Sequence, residues 1–90
     1  TRDAGRPDEL MAKVEADPDD HQARYDLALA LAKAGDHDAA ADQLVEIIRR
    51  DRNWNDDAAR KQLIKMFEAF GQTSPFTVKA RRKLSSVLFS

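Results

Sequence analysis

The feature that most constrains this chain is an internal repeat. Laid over itself at an offset of 36 residues, the sequence places Arg24 on Arg60, Leu27 on Leu63, Leu31 on Phe67 and Gly35 on Gly71. An offset of 34 places Leu10 on Leu44, Val14 on Ile48 and Asp17 on Asp51. Self-similarity at a fixed period of this size is the mark of stacked supersecondary units, each too small to bury its apolar face alone. The fold therefore turns on what one unit is.

The apolar spacing says that the units are helical. Pro7 suits the first turn of a helix that carries Leu10, Met11 and Val14 in one stripe. That helix must stop before Pro18, because the residue preceding a proline avoids the α region. Asp19 and Asp20 are capping candidates for a second helix over about 20–34. Its YDLALALAKA run alternates with the period of a strand, but alanine favours helix and disfavours strand. Tyr25, Leu27, Ala28 and Leu31 also share a helical face, and Gly35 suits the left-handed position that ends a helix. Asp36 or Asp38 starts the next helix, with Ala40, Leu44, Ile47 and Ile48 inward and Arg49 and Arg50 at the negative end of its dipole. DRNWND, residues 51–56, is a connector in which Trp54 serves as a hydrophobic staple or packs between repeats. Asn55 or Asp56 caps a helix with the face Leu63, Ile64, Phe67 and Phe70. Ser74 and Pro75 open a last helix towards residue 88, with the stripe Phe76, Ala80, Leu84, Val87 and Leu88. The expectation is an all-α fold of about four antiparallel helices over residues 7–90, preceded by a linker or frayed terminus at 1–6.

Helix pairs recurring at about 34 residues have the spacing of the tetratricopeptide repeat (TPR). Leu27, Ala28, Leu31, Ala40 and Leu44 match its pattern, and the small Ala28 and Ala40 let paired helices approach closely. Arg24 stands where the pattern has a bulky residue, and Arg52 where it has proline. In the second unit Leu63 and Phe67 fit, whereas Ile64, Phe76 and Ala80 have the wrong sizes. One good repeat is thus flanked by a half unit before it and a degenerate unit after it.

RRDRNWNDDAARKQLIKMFEAFG, residues 49–71, followed by ARRKLSSVLF, residues 80–89, resembles the C-terminal domain of the YbbN-like thioredoxin–TPR fusion proteins, or chaperedoxins. The resemblance extends over most of residues 19–90. It implies a bacterial, cytoplasmic holdase, of which this chain is a fragment lacking the upstream thioredoxin-like domain. It also implies that the helical repeats bind unfolded client proteins, that clients pass to the chaperonin and Hsp70 systems, and that the C-terminal helix docks on the chaperonin.

Two surfaces are candidate binding sites. In repeat register the concave groove is lined by Gln22, Tyr25, Leu29, Ala32 and Lys33. With Lys33 its only cation, it suits apolar segments better than acidic tails. The C-terminal helix offers Arg81, Arg82, Leu84, Leu88 and Phe89, and aromatic residues with arginine dominate interface energy. The alternatives are that Tyr25 and Leu29 cover an upstream repeat and that the last helix only caps the array. The alternative function is a generic TPR adaptor joining two folded proteins. Because fewer than two complete repeats are present, either the end helices act as caps, or the apolar face of the first helix meets a second copy, as a homo-oligomer through exposed end helices, or the absent upstream part.

Other classes find little footing. Cysteine is absent, which removes disulfides, thiol catalysis and thiolate metal sites and agrees with a cytoplasmic location. No apolar run approaches the roughly 18 residues of a membrane span, and no signal-peptide pattern opens the chain. Asp36, His37 and Asp38 are adjacent, so their side chains diverge, and His21 is the only other histidine. That is a helix corner with His37 solvated, not the spaced ligand set that zinc takes. A calcium loop counted from Asp17 would have Gln22 and Ala28 where glycine and glutamate are needed. No nucleophile motif, phosphate loop or metalloprotease motif is present, so neither catalysis nor a cofactor is expected. The basic run Lys79, Arg81, Arg82, Lys83 wraps around its helix in a chain of pI about 6.0, which argues against nucleic acid. Residues 1–47 hold 5 Lys/Arg against 12 Asp/Glu, and residues 48–90 hold 10 against 4. Opposed halves of −7 and +6 are expected to face each other within the fold.

Overall fold

The computed structural model describes residues 7–89, so the expected linker at 1–6 lies outside the described residues. Five helices follow one another: α1 (Pro7–Ala16), α2 (His21–Lys33), α3 (His37–Arg50), α4 (Ala58–Phe70) and α5 (Pro75–Leu88). There is no strand among the described residues. The fold is all-α as expected. The count is five, not about four: each helix read from the spacing forms, the one in the half unit before the first full repeat included.

The extents are 38 × 26 × 19 Å, and the shortest equals about two helix diameters of ~10 Å. Helices therefore lie in two layers. α3 is the central element: it packs along α2 on one side and against α4 and α5 on the other, while α1 lies on α2. Its sequence requires this, since Ala40, Ala41, Leu44, Val45, Ile47 and Ile48 cover more than one face and all are buried. α4 and α5 touch each other over a shorter stretch than any other neighbouring pair.

The corner between α2 and α3 is closed by local chemistry. Gly35, at φ +95°, follows the last turn of α2. The Gly35 N–H donates to Ala32 O at 3.1 Å and the Asp36 N–H to Leu31 O at 2.8 Å, which satisfies two carbonyls that a helix end leaves free. The Asp36 carboxylate accepts from the Ala39 N–H at 3.3 Å and so caps α3. Asp20 caps α2 in the same way, accepting from the Ala23 N–H at 3.1 Å.

The second unit lacks this support. Asp57, not Asn55 or Asp56, precedes α4, and it makes no side-chain capping bond. The three residues Asn55, Asp56 and Asp57 all have positive φ, at 49°, 57° and 63°, so the expected cap is spent in a left-handed turn. Ser74 stands before Pro75 as expected but also makes no side-chain capping bond.

Arg24, in place of a bulky residue, is buried and serves as a clamp. Its guanidinium donates to Gln43 Oε1 on α3 at 2.8 Å and to Pro18 O at 3.1 Å. Burial lowers its pKa, with Glu46 opposing the effect. Trp54 packs against Tyr25, ring centroids 5.5 Å apart, and edge-on to His21 at 6.2 Å. It thus joins the connector to α2, the inter-repeat alternative read from the sequence.

The opposed charge halves do meet. Lys79 pairs with Asp38 at 3.6 Å and Lys83 with Asp42, both across the contact of α5 with α3. Arg50 reaches Asp19 at 3.1 Å and Glu46 at 2.6 Å. Hydrogen bonds from Arg49, and then from Arg50, hold the Glu46 carboxyl down at about 2.

Candidate functional site

An open groove of about 1130 Å³ runs between α4 and α5. Its apolar lining comes from Ile64 and Phe67 on α4 and from Val78, Leu84 and Leu88 on α5. Ile64 and Val78 remain 38 % and 47 % exposed, which is high for large apolar side chains inside a helical domain. Arg60, Arg81 and Arg82 stand around this lining, against the single carboxylate of Glu68. Phe89, 84 % exposed, also belongs to the lining.

Side-chain volume explains why the groove exists. At the 36-residue offset, Ala28 corresponds to Ile64, Ala40 to Phe76 and Leu44 to Ala80. Ala28 and Ala40 are fully buried where α2 meets α3. Their counterparts are too large for so close an approach. Phe76 packs against Phe70 at 4.8 Å and Phe67 at 6.4 Å, which fills the space where α4 and α5 diverge from their shared corner. Beside them lies the open groove, lined by Ile64, Val78, Leu84 and Leu88. α5 leans on α3 instead, through the pairs of Lys79 and Lys83.

The candidates on the last helix come together here. Arg81, Arg82, Leu84, Leu88 and Phe89 all line the groove. Arg81 also donates to Gln72 Oε1 at 2.8 Å across its mouth. Arg60, Ile64 and Val78 belong to the same surface and were not among the expected residues. The signal that could have found them was the size mismatch at Ile64 and Phe76. The basic run is divided: Lys79 and Lys83 face α3, while Arg81 and Arg82 face the groove.

The candidates on α2 are arranged differently. Gln22 donates to Asp26 Oδ1 at 3.0 Å, Tyr25 is half-buried beside Trp54, and Leu29 and Lys33 are exposed. They form a stripe along one helix in which Leu29 is the principal exposed apolar group.

The Asp36-His37-Asp38 corner has its own structural uses. Asp36 caps α3, Asp38 pairs with Lys79, and His37 is a correction to the sequence reading. It is half-buried, not solvated, with its ring edge-on to Phe70 at 4.6 Å and to Phe76 at 6.2 Å. Among the described residues no group of three His, Cys, Asp or Glu could hold a metal ion, and no helix is long and apolar enough to cross a membrane.

Comparison with known proteins bears on this arrangement. A family model described as a tetratricopeptide repeat matches residues 1–89. No curated protein and no solved structure matches the chain.

Proposed function

Because this chain belongs to the tetratricopeptide-repeat family, a family of non-catalytic protein-interaction scaffolds, we propose that it is the protein-binding module of a thioredoxin-fused chaperone. It holds unfolded clients by reversible burial of apolar chain against helical surfaces, with no covalent chemistry. The observation that carries this reading is the uncovered apolar lining between α4 and α5, with Phe89 beside it. Apolar surface rimmed by polar and charged groups is a common form of protein-interaction site. Leu29, with Tyr25 beside it, supplies a second, smaller apolar surface on α2.

The upstream thioredoxin-like domain, the cytoplasmic location and the chaperonin and Hsp70 partners rest on the resemblance of residues 49–71 and 80–89 to the chaperedoxins. In that setting the C-terminal helix is the docking element and the α2 surface a client contact.

Light scattering from a thermally unfolding client tests the holdase. The 90-residue chain is expected to suppress aggregation, and a Val78→Ser, Phe89→Ser double variant to lose most of that protection. Failure of the unaltered chain to protect any of several unrelated clients favours the adaptor reading instead. Retained protection by a Tyr25→Ala, Leu29→Ala variant removes α2 from the client surface. Deletion of residues 84–90 addresses docking: unchanged chaperonin binding by a still-folded domain overturns the role of the last helix.

A further inference from the structure

We propose that the groove between α4 and α5 receives an amphipathic helix of a partner protein, one with an apolar stripe flanked by Asp and Glu. The inference rests on the protein-binding reading above and adds the chemistry of the docked element.

The apolar part follows from the lining. Ile64, Val78 and Leu84 present aliphatic surface, and Phe89 adds an exposed aromatic ring. Burying two or three apolar side chains of this size on a partner supports measurable affinity.

The helical form follows from the backbone. Both walls of the groove are helices, whose N–H and C=O groups are already used along their length. An extended segment laid on them would bury peptide groups with no ladder to join. A helix satisfies its own backbone and presents only side chains. α3 already accepts α4 and α5 in this manner, so a third helix in the groove continues the packing of the array.

The acidic flanks follow from the charge left over. Lys79 and Lys83 are neutralised by Asp38 and Asp42 on α3. Arg60 and Arg82 make no ion pair among the described residues, and both stand at the groove with Arg81. One carboxylate, Glu68, opposes three guanidinium groups there. Arginine on the edge of an apolar groove selects carboxylates, steers their approach and disfavours cationic partners.

Fluorescence anisotropy with labelled synthetic helices and the 90-residue chain tests this. One peptide carries a Leu/Ile stripe flanked by Glu. A second keeps the stripe and replaces Glu with Lys. A third is the Glu peptide interrupted by proline. The Glu peptide is expected to bind best, by about tenfold or more over the Lys peptide at low salt. An Arg60→Glu, Arg82→Glu variant is expected to reverse that order. Val78→Ser, at an exposed position, is expected to weaken the Glu peptide several-fold, and Ile64→Ser provides a second apolar probe if Val78→Ser unfolds the chain by circular dichroism. Equal binding of the Glu and Lys peptides overturns the charge selection. Equal binding of the proline-interrupted peptide overturns the helical form. A dimer in sedimentation equilibrium that Val78→Ser dissolves, without peptide binding, assigns the groove to a second copy and overturns the proposal. Peptide binding by a chain that protects no client removes the holdase reading and leaves this one standing.

Discussion

The pairs α2–α3 and α4–α5 share one register and differ in closure. In the first, Ala28 and Ala40 are 1 % and 0 % exposed and the helices meet along their length. In the second, Ile64 and Phe76 occupy those positions, Ala80 replaces Leu44, and the helices part. The burial pattern still follows the offset: Ala41 and Thr77 are both fully buried, as are Leu44 and Ala80. At these two positions register keeps the inward face, whereas side-chain volume sets how near the backbones come and leaves Ile64 exposed. A closed pair is a core and an open pair is a groove, built on the same plan.

The comparison can be broken most severely at Leu44. Leu44→Ala removes a fully buried side chain from the central helix and is expected to cost about 2–5 kcal/mol in urea unfolding. Leu84→Ala, on the open pair and only half-buried, is expected to cost about half as much or less. Equal losses at the two sites show that α4 and α5 are closed in solution.

Exchanging the diagnostic residue sharpens the point. Ala28→Ile forces the second pair's volume into the first and is expected to cost about 1–3 kcal/mol by overpacking. The reciprocal Ile64→Ala trims an exposed side chain and is expected to cost about 1 kcal/mol or less. If Ala28→Ile is neutral in thermal unfolding, volume at this position is not what separates the pairs.

Helix caps give a smaller contrast. Asp20→Ala and Asp36→Ala each remove a capping bond and are expected to cost about 1 kcal/mol. Ser74→Ala removes none and is expected to change stability by about 0.5 kcal/mol or less.

The smallest effect is electrostatic. The folded-state pKa of Glu46 is depressed to about 2 by Arg49 and Arg50. A depressed carboxyl stabilises the fold above its unfolded pKa, and that contribution is lost as the pH falls from the ordinary glutamate range to about 2. Glu46→Gln is therefore expected to flatten the acid limb of the stability curve in that window. The register counterpart of Glu46 is Arg82, which has no such partner, and Arg82→Gln is expected to leave the limb unchanged.

The helices, their order and the close first pair were legible in the sequence because spacing, caps and Gly35 all agree there. Legibility failed where one helix face had two claimants. On α4 the stripe Leu63, Ile64, Phe67 and Phe70 was expected inward, but Ala59, Leu63, Met66 and Phe67 are the buried set. With α5 leaning on α3, less of α4 is covered, and Ile64 and Phe70 are left exposed. Thr77 was overlooked because its hydroxyl reads as surface, yet it is fully buried, and its Oγ1 has no hydrogen-bond partner. At the candidate site, spacing along α5 gathered Arg81, Arg82, Leu84, Leu88 and Phe89. The opposite wall, Arg60 and Ile64, depends on a gap that no single-helix pattern encodes.

The run of three left-handed residues at Asn55–Asp57 divides the chain into parts that need not open together. Each such residue carries a conformational cost that, glycine apart, is lowest for Asn and Asp, and the connector around it holds few backbone bonds, among them Trp54 N–H to Asp51 O and Asp56 N–H to Asn53 O. Amide hydrogen exchange is therefore expected to be hierarchical, with α4 and α5 exchanging through a sub-global opening while the amides of α2 and α3 wait for complete unfolding. The half of the molecule that offers a groove is then also the half that can yield to what enters it.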